Sequence, residues 1–147
     1  MLKGIHPALT PDLLWAIAAM GHGDIIAVVD ANYPAYALHK RVLPLVGVDI
    51  EEAVSAITSV FPVDRAIEPA VFAMTPEGDL AAQIHSHTVL GDVLAAAEGR
   101  PVEIGPLERS EFYRQAKDAF AVVLTGETSS YACFLLTKGV VSVASTE

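Results

Sequence analysis

The segment Ile25-Ile26-Ala27-Val28-Val29 is an unbroken apolar run in which four of five residues are β-branched, and no position alternates to a polar side chain. A half-exposed strand would alternate. A run of this kind fits a strand covered on both faces, which implies a central sheet with a layer above it and a layer below. Asp30 stands at the carboxyl end of the run, the edge at which layered α/β sheets tend to place ligands. At 147 residues the chain has the length of one domain, long enough to bury a core and too short for a second one of ordinary size. The fold expected is a single α/β domain over residues 1–147.

Flanking segments fill in the layers. Thr10-Pro11-Asp12 has the marks of a helix start: a hydroxyl cap, a proline in the first turn and an acid near the positive end of the dipole. That helix should run to about Met20, with Gly21 as its stop. Residues 31–39 show neither helical nor strand period and read as a loop over the end of the central strand. A short strand is expected at 42–46. Asp49, with Glu52 three residues on, should cap a second helix carrying Ile50, Val54, Ile57 and Phe61 at helical spacing and ending at Pro62. Residues 70–74 read as a buried strand, 80–97 as a helix interrupted near Gly91, and 110–118 as a short helix. The apolar runs 119–124 and 132–136, separated by Gly126-Glu127-Thr128-Ser129-Ser130, suggest a hairpin within the sheet, so the sheet is expected to be mixed. The stretch 64–106 is the least legible.

Composition excludes several partners. Nine Lys and Arg against eighteen Asp and Glu give a net charge of −9, and the basic residues are scattered, a poor match for nucleic acid or an anionic membrane. Stretches without a charged side chain, 80–91 the longest and 13–23 among the next, fall short of the roughly 18 residues a membrane span needs. The first residues lack the basic, apolar and small-residue order of a secretory signal, so a cytoplasmic location is expected. One cysteine, Cys133, has no second thiol for a disulfide or a zinc cluster. The apolar content, 52% of the chain, suggests that some surface is covered by other copies.

Candidate chemistry is sparse. His22 lies between two glycines just before the central strand, and Asp30 lies just beyond its far end. At roughly 3.3 Å per residue the two are too far apart to meet within one subunit; a site using both needs a neighbouring subunit or a fold-back. Gly21-His22-Gly23-Asp24 precedes its strand and no helix follows it directly, so it is not a phosphate loop. His85 and His87 lie on the expected helix about 200° apart and read as solvated, with no ligand set for a metal. Arg109, Tyr113 and Tyr131, with Asp30, are residue types suited to a polyhydroxylated ligand. By pattern alone they serve equally as core-edge tyrosines with Arg109 paired to Glu108 or Glu111.

The order of short motifs resembles the L-fucose mutarotase and D-ribose pyranase family of sugar-anomer isomerases. The resemblance rests on Met1-Leu-Lys-Gly-Ile5, Met20-Gly-His-Gly-Asp24, Asp30-Ala-Asn-Tyr-Pro-Ala35, the Arg109-x-x-Phe112-Tyr113 pattern, Thr125-Gly-Glu-Thr128 and Lys138-Gly-Val140. It implies a three-layer α/β/α sandwich with a mixed, mostly parallel sheet, and a homo-oligomer, a decamer favoured, with sites shared between subunits. It implies no cofactor and no metal. His22 corresponds to the catalytic proton donor, and Asp30, Arg109 and Tyr131 to sugar-binding residues; Tyr113 matches a tyrosine of the fucose branch. Gly-His-Gly-Asp and Arg109 resemble that branch more than the ribose branch, in which Thr follows the His and a His stands for the Arg. The activity implied is interconversion of the α and β pyranose anomers of L-fucose or a related aldose, the alternatives being pyranose/furanose exchange of D-ribose or sugar binding without catalysis. The family reads Tyr-Gly-Asn or Tyr-Ala-Asn where this chain has Tyr131-Ala132-Cys133. A weakly hydrogen-bonding thiol thus replaces a carboxamide at an expected sugar contact.

Overall fold

Eleven elements alternate along residues 1–143, which the computed structural model describes. They are α1 (Pro11–Ala19), β1 (Ile25–Val29), α2 (Ala35–Leu38), β2 (Val42–Leu45), α3 (Ile50–Thr58), β3 (Val71–Thr75), α4 (His85–Glu98), β4 (Ile104–Glu108), α5 (Arg109–Ala116), β5 (Ala121–Thr125) and β6 (Phe134–Thr137). The strands form one sheet in the order β2-β5-β1-β6-β3-β4. All neighbours are parallel except β6, which runs antiparallel to both β1 and β3.

Alternate residues of β1 feed opposite cores. Ile26 and Val28 pack with Leu13 and Ile17 of α1, Val54 and Ile57 of α3, and Leu90 and Leu94 of α4. Ala27 and Val29 pack with Ala35 of α2 and Phe112 and Ala116 of α5. This is the three-layer α/β/α arrangement expected, with α1, α3 and α4 on one face and α2 and α5 on the other.

The expected capping holds in detail. Thr10 Oγ1 accepts from Leu13 N at 3.2 Å, and Asp49 Oδ1 accepts from Glu52 N at 2.9 Å. Gly21 does not end α1 as a left-handed glycine. Met20 already leaves the helix in an extended conformation, and the Gly21 N–H is taken by Asp24 Oδ2 at 2.7 Å. Residues 31–39 are not all loop, because α2 forms one helical turn inside them. The helix expected over 80–97 begins only at His85 and passes through Gly91 without a break, held by Leu90 and Leu94, both essentially inaccessible.

Two differences shape the functional end of the sheet. Strands β5 and β6 are not a hairpin: β1 lies between them, bonded to each. All three strands are apolar on both faces, so burying β1 in the middle covers more apolar surface than pairing β5 with β6 directly. The connection must therefore cross over the carboxyl end of β1. It is pinned there by Ala31 N to the Glu127 carbonyl at 2.8 Å and Met74 N to the Cys133 carbonyl at 3.0 Å.

Strand β4, read through Ile104-Gly105-Pro106-Leu107, carries turn-like residues and is not evident from the sequence. It is an edge strand, where a proline costs no ladder bond. Gly105 is required for packing, since a Cβ there would lie 2.7 Å from the Phe72 ring.

Candidate functional site

The carboxyl ends of β1, β3 and β4 and the start of β6 meet at one edge of the sheet and enclose a pocket of about 270 Å³. Its lining includes Asp30, Asn32, Tyr33, Met74, Arg109 and Tyr113, with Ser130, Tyr131 and Cys133 from the crossing loop. Of the six residues singled out from the sequence, five therefore converge: Asp30, Arg109, Tyr113, Tyr131 and Cys133. His22 does not join them. It sits at the other end of β1 and lines a separate cleft with Asp64, Arg65 and Glu98.

Asp30 forms the polar floor. It is 5% exposed, and its two oxygens are held by the Asn32 N–H at 3.0 Å and the Cys133 thiol at 3.3 Å. Burial and the adjacent Asp30 push the Cys133 thiol well above its ordinary range. It stays protonated and donates. Cys133 is thus both a core residue, 1% exposed, and a pocket residue.

The walls are aromatic. Tyr33 stacks on Tyr113 at 5.4 Å and meets Phe112 edge-on at 6.2 Å, while the Arg109 guanidinium lies 5.3 Å from the Tyr113 ring centre. Arg109 has its pKa held above the ordinary range, with the contact to Tyr113 the leading cause. It does not pair with Glu108 or Glu111 as the alternative reading had it: Glu111 pairs with Arg114, and Glu108 accepts from Gly78 N. A charged fork, a buried carboxylate and flat phenol faces in a small pocket can fix hydroxyl groups and cover the apolar face of a sugar ring.

Tyr33 was not anticipated as a site residue. Burial, then Cys133 and Tyr113, raise its phenol pKa, so the hydroxyl is protonated. It lies 2.8 Å from His39 Nε2. Burial lowers the His39 pKa, so the neutral imidazole accepts the phenol proton there and carries its own on Nδ1. Its signal in the sequence is its place in the Asp30-Ala-Asn-Tyr-Pro-Ala35 motif, within an otherwise aperiodic stretch.

Asp64 was missed altogether. Its Oδ1 lies 3.1 Å from His22 Nε2 and also accepts the Ala66 N–H at 3.0 Å. These contacts, the backbone bond first, hold the Asp64 carboxyl below its ordinary range despite its burial. An ionised carboxylate only accepts, so Nε2 of His22 carries the proton and Nδ1 is left available. The His22 side chain is 51% exposed against 6% for Asp64, so the ring is anchored on one edge and open on the other. The partners are 42 residues apart in sequence. Gly139 makes the approach possible, since a Cβ there would lie 2.8 Å from the Asp64 Cα.

His85 is exposed as expected, but His87 is not solvated. It is half-buried, and its Nε2 donates to the Tyr131 carbonyl at 2.8 Å. Burial lowers the pKa of His87, as it does that of His39. The unfolded chain therefore takes up protons on these two residues at higher pH than the folded one. Their contribution to stability is full above the unfolded value, about 6.5, and is lost as pH falls from there to their folded values. The melting temperature is expected to decline as pH falls below about 6.5, and His87→Gln to flatten that decline. An unchanged slope in the variant assigns the acid sensitivity elsewhere.

The fold and the sequence both have known relatives. The model of the RbsD / FucU transport protein family matches residues 3–141. A protein named L-fucose mutarotase from Haemophilus influenzae (strain 86-028NP) is 40% identical over 144 residues, covering 97% of this chain and 99% of that one. The crystal structure of the fucose mutarotase from Streptococcus pneumoniae in complex with L-fucose superposes with a TM-score of 0.86 at 33% identity, covering 96% of this chain and 100% of that one. Bacillus subtilis RbsD complexed with D-ribose superposes with a TM-score of 0.75 at 25% identity, covering 97% and 100%. With the family model matching residues 3–141 and a relative 40% identical over nearly the whole of both chains, this chain belongs to the RbsD / FucU transport protein family.

Proposed function

We propose that this protein is a sugar-anomer isomerase that interconverts the α and β pyranose forms of L-fucose or a related aldose. The observation that carries the reading is the small pocket in which Asp30, Arg109, Tyr113, Tyr131 and Cys133 converge at the carboxyl edge of the sheet. The relative named L-fucose mutarotase and the fucose-bound structural neighbour support it.

Anomer exchange opens the hemiacetal. A proton reaches the ring oxygen as the bond from that oxygen to the anomeric carbon breaks, and the anomeric hydroxyl gives up its proton to become a carbonyl. Rotation and reclosure on the other face reverse both transfers. His22, anchored through Nε2 with Nδ1 free, is the group assigned to carry the proton. Asp30 accepts from sugar hydroxyls, Arg109 donates to them, and Tyr113 and Tyr131 hold the ring in plane.

Because His22 and Asp30 lie at opposite ends of β1, the working site takes His22 from a second copy. A closed ring of subunits, ten in the favoured form, supplies that geometry through a repeated head-to-tail contact. The location assigned is the cytoplasm; no helix among the described residues is long and apolar enough to cross a membrane. Magnetisation-transfer NMR on the anomer signals of L-fucose, D-galactose and D-ribose tests the reading. Exchange fastest between L-fucopyranose anomers supports it, exchange confined to ribose pyranose and furanose forms favours the pyranase alternative, and binding without exchange overturns catalysis.

Cys133 tests the floor of the pocket. In Cys133→Asn the carboxamide can donate to Asp30 in place of the thiol and offer a further group to the sugar. Affinity for L-fucose is expected to rise by about 1 kcal/mol, the net value of one hydrogen bond. Calorimetric titration alongside a melting curve checks this. A lower melting temperature with unchanged affinity removes Cys133 from the binding surface.

A further inference from the structure

We propose that His87 is a positioning residue for the sugar pocket, holding Tyr131 in a backbone conformation that places its side chain against the ligand. The inference rests on the reading of Tyr131 as a sugar contact. Among the described residues, Tyr131 is the one non-glycine with a positive φ, +62°, a left-handed conformation that L residues with a large Cβ substituent avoid. Such strain persists only where surrounding contacts impose it, and it concentrates at ligand sites.

Contacts on the crossing loop show what imposes it here. Upstream, the loop is tied by the Glu127 carbonyl to Ala31 N, and downstream by the Cys133 carbonyl to Met74 N. Between those ties, Ser129 bonds only locally, to Glu127. Among the described residues, the His87 Nε2–H to the Tyr131 carbonyl at 2.8 Å is the only hydrogen bond reaching residues 128–132 from another element. A carbonyl accepts only, so the tautomer of His87 is determined: the neutral ring carries its proton on Nε2.

The imidazole is itself fixed. It projects from the first turn of α4 and meets the Phe134 ring edge-on at 5.6 Å and 72°. Phe134, fully buried, is in the first residue pair between β6 and β1, opposite Val28. The chain of contacts runs from the core through Phe134 and His87 to the Tyr131 backbone. Tyr131 and Cys133 flank Ala132, so an error at the Tyr131 backbone would also move the thiol that holds Asp30.

The test uses the full-length protein with His87→Phe, which keeps a planar ring and removes the donor, and His87→Gln, whose amide N–H can still reach the carbonyl. In His87→Phe the KM for L-fucose exchange is expected to rise about tenfold with kcat changed far less, the loss of one positioning bond. His87→Gln should recover most of the affinity. A KM within twofold of wild type in His87→Phe overturns the proposal.

A second measurement needs no sugar. Glycine takes φ +62° without strain, so Tyr131→Gly should reduce the loss of melting temperature caused by His87→Phe, expected at about 3 °C in the parent. Coupling in this cycle supports the proposal even if L-fucose is not the substrate, whereas additive losses overturn it. If the wild type exchanges no sugar yet the cycle couples, the failure lies with the functional reading and not with the His87 contact.

Discussion

His22→Ala is expected to reduce anomer exchange by about 10²–10⁴-fold, the usual contribution of a general acid–base group, while leaving L-fucose binding near the wild-type value. The two effects separate because His22 lies outside the pocket that carries Asp30 and Arg109, and alanine in the exposed Gly21-His22-Gly23 connector disturbs no core packing. Wild-type exchange rates in this variant exclude His22 as the proton carrier. Asp30→Asn should be inactive for a different reason, since one of the two acceptor oxygens, each already held by a donor, becomes an NH2 donor that cannot accept from sugar hydroxyls. Mixing the two inactive variants decides where the site lies. If His22 of one copy serves the pocket of another, random co-assembly regenerates roughly a quarter of the sites. If each chain acts alone, no activity returns.

Phe112→Ala is expected to cost about 3–5 kcal/mol, a large share of the roughly 5–15 kcal/mol by which a domain of this size is stable. Phe112 is among the largest fully buried side chains, and it supports the face of α5 that packs on β3 and β4 within a core shared with Val29 and Leu135. Its ring also meets Tyr33 edge-on, so the variant loosens a wall of the pocket as well as the core. Urea denaturation should show a lower midpoint with little change in slope, and sugar affinity should fall beyond what the residual unfolded fraction explains. A loss below about 1 kcal/mol would mean that the layer between α5 and the sheet collapses to fill the cavity.

Much of the layered fold was legible because its signals are local. The run from Ile25 to Val29 identifies a doubly covered strand by composition alone, Thr10 and Asp49 mark helix starts through bonds made within three residues, and Pro11 marks one by its fixed φ. The misread segments are those in which long-range packing overrides local preference. Gly91 stays helical because Leu90 and Leu94 are buried against the sheet, and Ile104-Gly105-Pro106 becomes a strand because an edge position excuses the proline and Phe72 demands the glycine.

The same division runs through the site. The residue types suited to a sugar, and the separation of His22 from Asp30 by the length of β1, follow from the sequence, since strand rise and side-chain chemistry are properties of the chain itself. The partners of those residues do not. Asp64 reaches His22 from 42 positions away, His39 meets Tyr33 only because α2 folds into one turn, and His87 holds Tyr131 across 44 positions. The insertion of β1 between β5 and β6 is what lays the loop over Asp30 and forms the pocket. Strand order is set by how much apolar surface a whole arrangement buries, a quantity summed over all six strands, so no local pattern encodes it and only the folded structure reveals it.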